Sequence, residues 1–194
     1  MGRAPDPQIK EQLLEAVSDY LLEHGLAGLS LRPLAAEVGT SPRMLIYHFG
    51  SKEQLLAEAL RELRVWQQDA VMTWSVSDDA DVTSMLRDGW TWLTAAETRP
   101  FLRLFFEVYA LALQDPDAFP GFLGRAVGDW RSLLEPRLRR AGLSAGRARS
   151  EATLLIAAHR GLLLDLLATG DDRRITRAHS ALMADLTSRL EDHR

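Results

Sequence analysis

Cysteine is absent from the 194 residues, which removes disulfide frameworks, thiolate nucleophiles, thiol redox chemistry and Cys-ligated zinc or iron–sulfur centres at once. β-Branched aliphatics are scarce: 8 Val and 4 Ile stand against 34 Leu and 25 Ala. Strand-rich folds rarely show that balance, because a pleated sheet favours branched side chains. Glycine (13) and proline (8) are too few for a low-complexity chain, and 46% hydrophobic residues suffice for a core without staples. No uninterrupted apolar run approaches the ~20 residues of a membrane span; the greasiest, Leu162 to Leu167, is broken by Asp165. Met1 to Asp6 carries neither an apolar leader core nor a myristoylation pattern, so a cytoplasmic chain with no membrane partner is expected. Positive charge is not in excess either. The net charge of −4, taken alone, argues against a nucleic-acid partner.

What is present is a succession of helix signals. Asp6-Pro7, Ser30 and Ser41-Pro42 each place a capping residue before a short apolar series, and Gly25, Gly39 and Gly50 end those series. Ser51-Lys52-Glu53-Gln54 reads as a capping box opening a long fourth helix through Trp66 and Trp74. Helices over 82–96, 100–114, 119–138, 145–169 and 173–192 complete an all-α fold of about nine, the seventh bent or ended near Pro136.

One constellation carries a mechanism. Leu34-Ala35, then Val38-Gly39, then Leu45 is helix-turn-helix spacing: Ala35 lets two short helices approach closely, Gly39 supplies a positive φ, and Leu34, Val38 and Leu45 fill the wedge between them. Such a unit offers its second helix to a major groove. Between Ser30 and Lys52 the charges Arg32, Arg43 and Lys52 outweigh Glu37, a local +2 while the remainder of the chain carries −6. Arg43 suits a guanine edge, Thr40, Pro42 and Met44 suit thymine methyls, Ser41 caps the reading helix, and Tyr47, His48 and Lys52 suit phosphates. The same residues also fit a plain corner of a helical bundle, in a small-molecule-binding or scaffold protein without specific DNA binding.

The run from Gly39 through Leu56, GTSPRMLIYHFGSKEQLL, resembles the TetR family of bacterial transcriptional regulators, and the likeness extends over Gln8 to about Leu60. Beyond that it is one of length and helix count. Ile46 departs from the family pattern, which has a phosphate-contacting tyrosine there. The resemblance implies a DNA-binding domain over 1–50, linked through the helix starting at 51 to a ligand-binding and dimerisation domain over 51–194. It implies a homodimeric, ligand-responsive regulator, acting as a repressor on a double-stranded operator and released by a small, largely apolar effector.

Aromatic mass in the second part exceeds what a core of this size requires, so Trp66, Trp90, Phe105, Tyr109 and Trp130, with Arg103 and His159, are candidates to line a pocket; core packing accounts for them equally. Amphipathic stripes on the last two helices make Leu155, His159, Leu162, Leu166, Leu182 and Leu186 the expected dimer contacts. The five histidines show no metal-ligand spacing with one another or with nearby carboxylates, so no metal and no cofactor is expected. No catalytic residue or motif stands out. Seven arginines between Arg125 and Arg149, net +5, form a minor rival patch for nucleic acid.

Overall fold

The computed structural model describes the backbone of residues 6–75 and 81–192, and the side chains of 6–63 and 81–192. Nine α-helices and no strand occur among the described residues: α1 (Pro7–His24), α2 (Leu31–Glu37), α3 (Pro42–Phe49), α4 (Lys52–Ser75), α5 (Val82–Thr94), α6 (Arg99–Gln114), α7 (Phe122–Arg140), α8 (Ala145–Thr169) and α9 (Asp172–Glu191). Their starts are chemically marked. Asp6, Ser41, Ser51, Ser144 and Asp171 each accept a backbone N–H of the following turn through a side-chain oxygen, satisfying amides that a helix leaves unpaired. Three boundaries differ from the sequence reading. Residues after Thr94 leave the α-helix for a single 3-10 turn, Ala96–Thr98, and α7 starts at Phe122 instead of 119 and runs through Pro136 to Arg140. Its last turns are held where Arg137 donates to the Leu133 carbonyl at 3.0 Å.

The chain divides into two units, Met1–Val71 with Arg103–Phe119, and Met72–Leu102 with Pro120–Arg194. In the first, Val17 and Leu21 of α1, Leu34 and Ala35 of α2 and Leu45 of α3 are fully buried, with Leu55 and Ala59 of α4. Complete burial of each leucine contributes about 1.5–3 kcal/mol. Polar ties join α4 to α1, Lys10 to Glu58 at 2.8 Å and Ser18 to Glu62 at 2.9 Å. These ties explain why the first unit continues past residue 50. The latter part of α6 belongs here too: Glu107 accepts from the Leu26 amide at 2.6 Å. Gly25, with φ +71°, leaves room for that carboxylate, which would lie 2.8 Å from an added Cβ.

In the second unit Val82, Met85 and Leu86 of α5, Leu134 and Leu138 of α7, Ala152, Leu155 and Ile156 of α8 and Met183, Leu186 and Leu190 of α9 form one continuous core. Trp90 lies beside it, stacked on His179 with ring centroids 4.2 Å apart and planes within 6°.

Candidate functional site

The corner between α2 and α3 is built by backbone geometry. Gly39 takes φ +70°, a conformation that costs an L-residue energy, although an added Cβ would meet nothing within 4 Å. The chain therefore needs glycine there for its dihedral angle rather than for space. Behind it the Thr40 amide donates to the Ala35 carbonyl at 2.8 Å. Leu34, Ala35 and Leu45 are wholly buried, whereas Val38 is half-buried and only edges the wedge.

On α3, residues 45, 48 and 49 face inward and residues 42, 43, 44, 46 and 47 face outward. The outward row holds a cation and three large apolar side chains: Arg43 is exposed, Met44 is 40% exposed, Ile46 38% and Tyr47 46%. A helix of eight residues that leaves three such side chains in water is unusual unless a partner covers them. Ser41 and Arg32 are also exposed, and Thr40 is half-buried.

Two expected phosphate contacts sit differently. His48 is 6% exposed, packed edge-on to Tyr47 at 5.1 Å and beside Phe49, and neither ring nitrogen has a hydrogen-bond partner among the described residues. Helical periodicity puts it with Leu45 on the inner face, so the polar ring serves as core, correcting its placement on the reading surface. Lys52 is half-buried and its ammonium donates to the Leu29 carbonyl at 2.5 Å. It therefore ties the end of the reading unit to the loop after α1.

Of the candidate pocket residues, Trp90 is 5% exposed and stacked on His179, His159 is half-buried with Nδ1 on the Leu155 carbonyl at 2.8 Å, and Trp130 is half-buried against the core of the second unit. The indole N–H of Trp90 and Nε2 of both His159 and His179 are buried without a partner among the described residues. Burial holds the His159 imidazole below the usual histidine range, opposed by its bond to Leu155. Burial, with positive charge from His159 and Arg87, takes His179 down to about 4. Phe105 and Tyr109 are half-buried neighbours, ring centroids 5.9 Å apart, and Arg103 is exposed, all three in the first unit. The side chain of Trp66 lies outside the described residues.

The stripes on α8 and α9 also divide. Leu155, Leu166 and Leu186 are at most 2% exposed within the chain's own core, because burying the more apolar stripe of α8 and of α9 inside the chain removes the most hydrocarbon from water. They are therefore not free to meet another chain. His159, Leu162 and Leu182 are half-buried, and the outward row of α8 is Leu154 (62% exposed), Ala157, Gly161, Leu164 (49%) and Ala168. By length and composition α8 could cross a membrane, with an 18-residue window of mean hydropathy 1.4, although Asp165 interrupts its apolar run as read from the sequence. Its charges are partnered by protein: Arg160 donates to the Ala126 carbonyl and Asp165 forms a two-pronged pair with Arg174 at 2.7 Å, which holds the Asp165 carboxyl below its usual range.

Two signals set aside in the sequence look different in space. Arg131 pairs with Glu135 at 2.6 Å, and Arg125 and Arg137 donate to the Pro120 and Leu133 carbonyls, so part of the arginine-rich segment serves its own helix. Metal-ligand spacing, absent along the chain, is present in the fold, where Glu23, His24 and Glu37 bring one ligand atom each within 4.8 Å of the others. Glu37 arrives from α2, which local spacing along α1 could not reveal.

Residues 13–59 match the family described as bacterial regulatory proteins, tetR family. Over 164 residues the chain is 27% identical to the HTH-type transcriptional regulator LmrA of Bacillus subtilis strain 168, covering 82% of this chain and 87% of LmrA. Its fold matches a transcriptional regulator from Rhodococcus sp. Rha1 with TM-score 0.75 at 23% identity, covering 94% and 96% of the two chains. It also matches the multidrug binding protein EbrR, solved with imidazole, with TM-score 0.69 at 25% identity, covering 98% and 93%. The matched segment contains the whole α2–α3 corner, and with it the outward row of α3. Residues 13–59 carry the segment that defines bacterial regulatory proteins of the tetR family, and over most of its length the chain is similar to regulators of that family.

Proposed function

We propose that the protein is a cytoplasmic, ligand-responsive transcriptional repressor that binds a palindromic operator as a homodimer and is released by a small, largely apolar effector. The observation that carries the reading is the outward face of α3, where Arg43 stands among exposed Met44, Ile46 and Tyr47 on a capped helix turned out by Gly39. A guanidinium makes two parallel bonds to a guanine edge, and the apolar neighbours suit thymine methyls. The amino end of α3 turns the positive end of its dipole toward phosphate, which offsets the overall charge of −4 locally.

A two-fold dimer sets its paired reading helices about 34–36 Å apart, one turn of duplex. The outward row of α8, Leu154, Ala157, Gly161, Leu164 and Ala168, is the face assigned to that dimer, because small residues let a second helix approach closely. The effector reading draws on the aromatic content of the chain and on EbrR, solved with imidazole and with proflavin. Coupling runs through α4, a continuous helix that starts beside the reading unit and ends in the second unit. A coupling free energy of about 1–3 kcal/mol, roughly 5–150-fold in operator affinity, suffices for regulation.

Selection of genomic DNA fragments by the purified protein tests this. The expected result is enrichment of a palindrome whose half-sites are one turn apart. Binding that salt erases and that shows no sequence preference would instead favour a helical small-molecule-binding or scaffold protein.

A further inference from the structure

We infer that Glu23, His24 and Glu37 form a site for one divalent first-row transition-metal cation, joining the carboxyl ends of α1 and α2. The three ligand atoms lie within 4.8 Å of one another. Ligands about 2.0–2.2 Å from a tetrahedral ion lie roughly 3.3–3.6 Å apart, and His24 Nε2 already stands 3.4 Å from Glu37 Oε1. The remaining adjustment falls within the rotamer freedom of two exposed glutamates. His24 is less free, since its ring sits edge-on to Tyr20 with centroids 4.3 Å apart.

Charge agrees with geometry. Two carboxylates and a neutral imidazole carry −2, which a divalent ion balances, and α1 ends at His24 while α2 ends at Glu37, so outward-pointing carbonyls add negative potential. One imidazole nitrogen with two carboxylate oxygens favours zinc, nickel or copper over magnesium or calcium, with water completing the coordination. All three side chains are exposed, so a hydrated ion enters without any opening of the fold. Because α2 packs directly on α3, an ion here fixes the frame that holds the reading helix. The site is independent of the operator reading and stands or falls without it.

Titration of the full-length protein with Zn2+ by calorimetry near neutral pH tests the site, with hydrogen exchange as the second measurement. One ion per chain is expected. His24→Ala and Glu37→Gln, both surface changes that leave the circular dichroism unchanged, each weaken it by at least the about 10–100-fold that even outer-shell partners command. Zn2+ also slows exchange at the carboxyl end of α2 in the wild type and not in Glu37→Gln. No zinc binding by the wild type, or undiminished binding in His24→Ala, overturns the site. Binding lost in His24→Ala but retained in Glu37→Gln overturns the bridge between the helices.

Discussion

Helices α3 and α8 each leave large apolar side chains in water, and they do so differently. α3 exposes Met44, Ile46 and Tyr47 around Arg43 on eight residues, whereas α8 exposes Leu154 and Leu164 in a row otherwise made of alanine and glycine on twenty-five. A mixed cationic and apolar surface on a short helix complements a groove that offers phosphates, base edges and methyl groups together. A long row of leucine, alanine and glycine offers no donors and complements another helix. Exposure alone therefore does not identify a partner; the charge and length that accompany it do.

The contrast is broken most severely at α8. Leu154→Glu combined with Leu164→Glu is expected to leave a folded monomer in analytical ultracentrifugation and to weaken operator binding by about 10²–10⁴-fold, because two half-sites are then no longer held together. A dimer that survives this pair of charges would remove α8 from the interface. Within α3 the inner and outer faces should separate cleanly in urea unfolding. Leu45→Ala, at a site with no exposure, is expected to cost about 2–5 kcal/mol. Met44→Ala one position away should stay within about 0.5 kcal/mol, and equal costs would mean that Met44 packs against the protein.

Arg43→Ala is expected to lose about 1–3 kcal/mol of operator affinity and to relax specificity at one base pair per half-site, with no change in melting temperature. Unchanged footprints would assign sequence reading elsewhere on α3. The smallest effect at neutral pH, growing on acidification, belongs to the second unit. His179 is lowered to about 4 in the folded protein from a reference of 6.5, so the unfolded chain takes up the proton first. Its contribution is fully present above about 6.5 and is lost as pH falls from there through about 4. Lowered His159 adds in the same direction. His179→Phe keeps a ring against Trp90 and should flatten the acid limb of stability measured by thermal melts; an unaltered limb would place the titrating group elsewhere.

Much of this was legible in the residues. The helix starts at Asp6, Ser41 and Ser51 follow from capping chemistry, which acts over three residues and so is written locally, whereas Ser30 stands at the N-cap of α2 without a side-chain cap bond. The α2–α3 corner was legible for the same reason: a positive φ at Gly39 and a small residue at Ala35 are local demands. His48 was misplaced because a polar side chain suggests a surface, while its position three residues after Leu45 sets it inside. Leu155 and Leu166 of α8 and Leu186 of α9 were read as outer contacts because periodicity marks an apolar stripe without saying whether the chain's own core or a second chain covers it.

By itself the sequence determined the secondary structure and the reading corner, since caps, glycine dihedral angles and the leucine–alanine bias act between neighbours. Only the tertiary structure decided which face of α8 remains open, that Lys52 is bound to the Leu29 carbonyl, and that Glu37 meets Glu23 and His24. Those outcomes depend on which helices pack against which, and that is set by the whole apolar surface competing for burial rather than by any short span of residues.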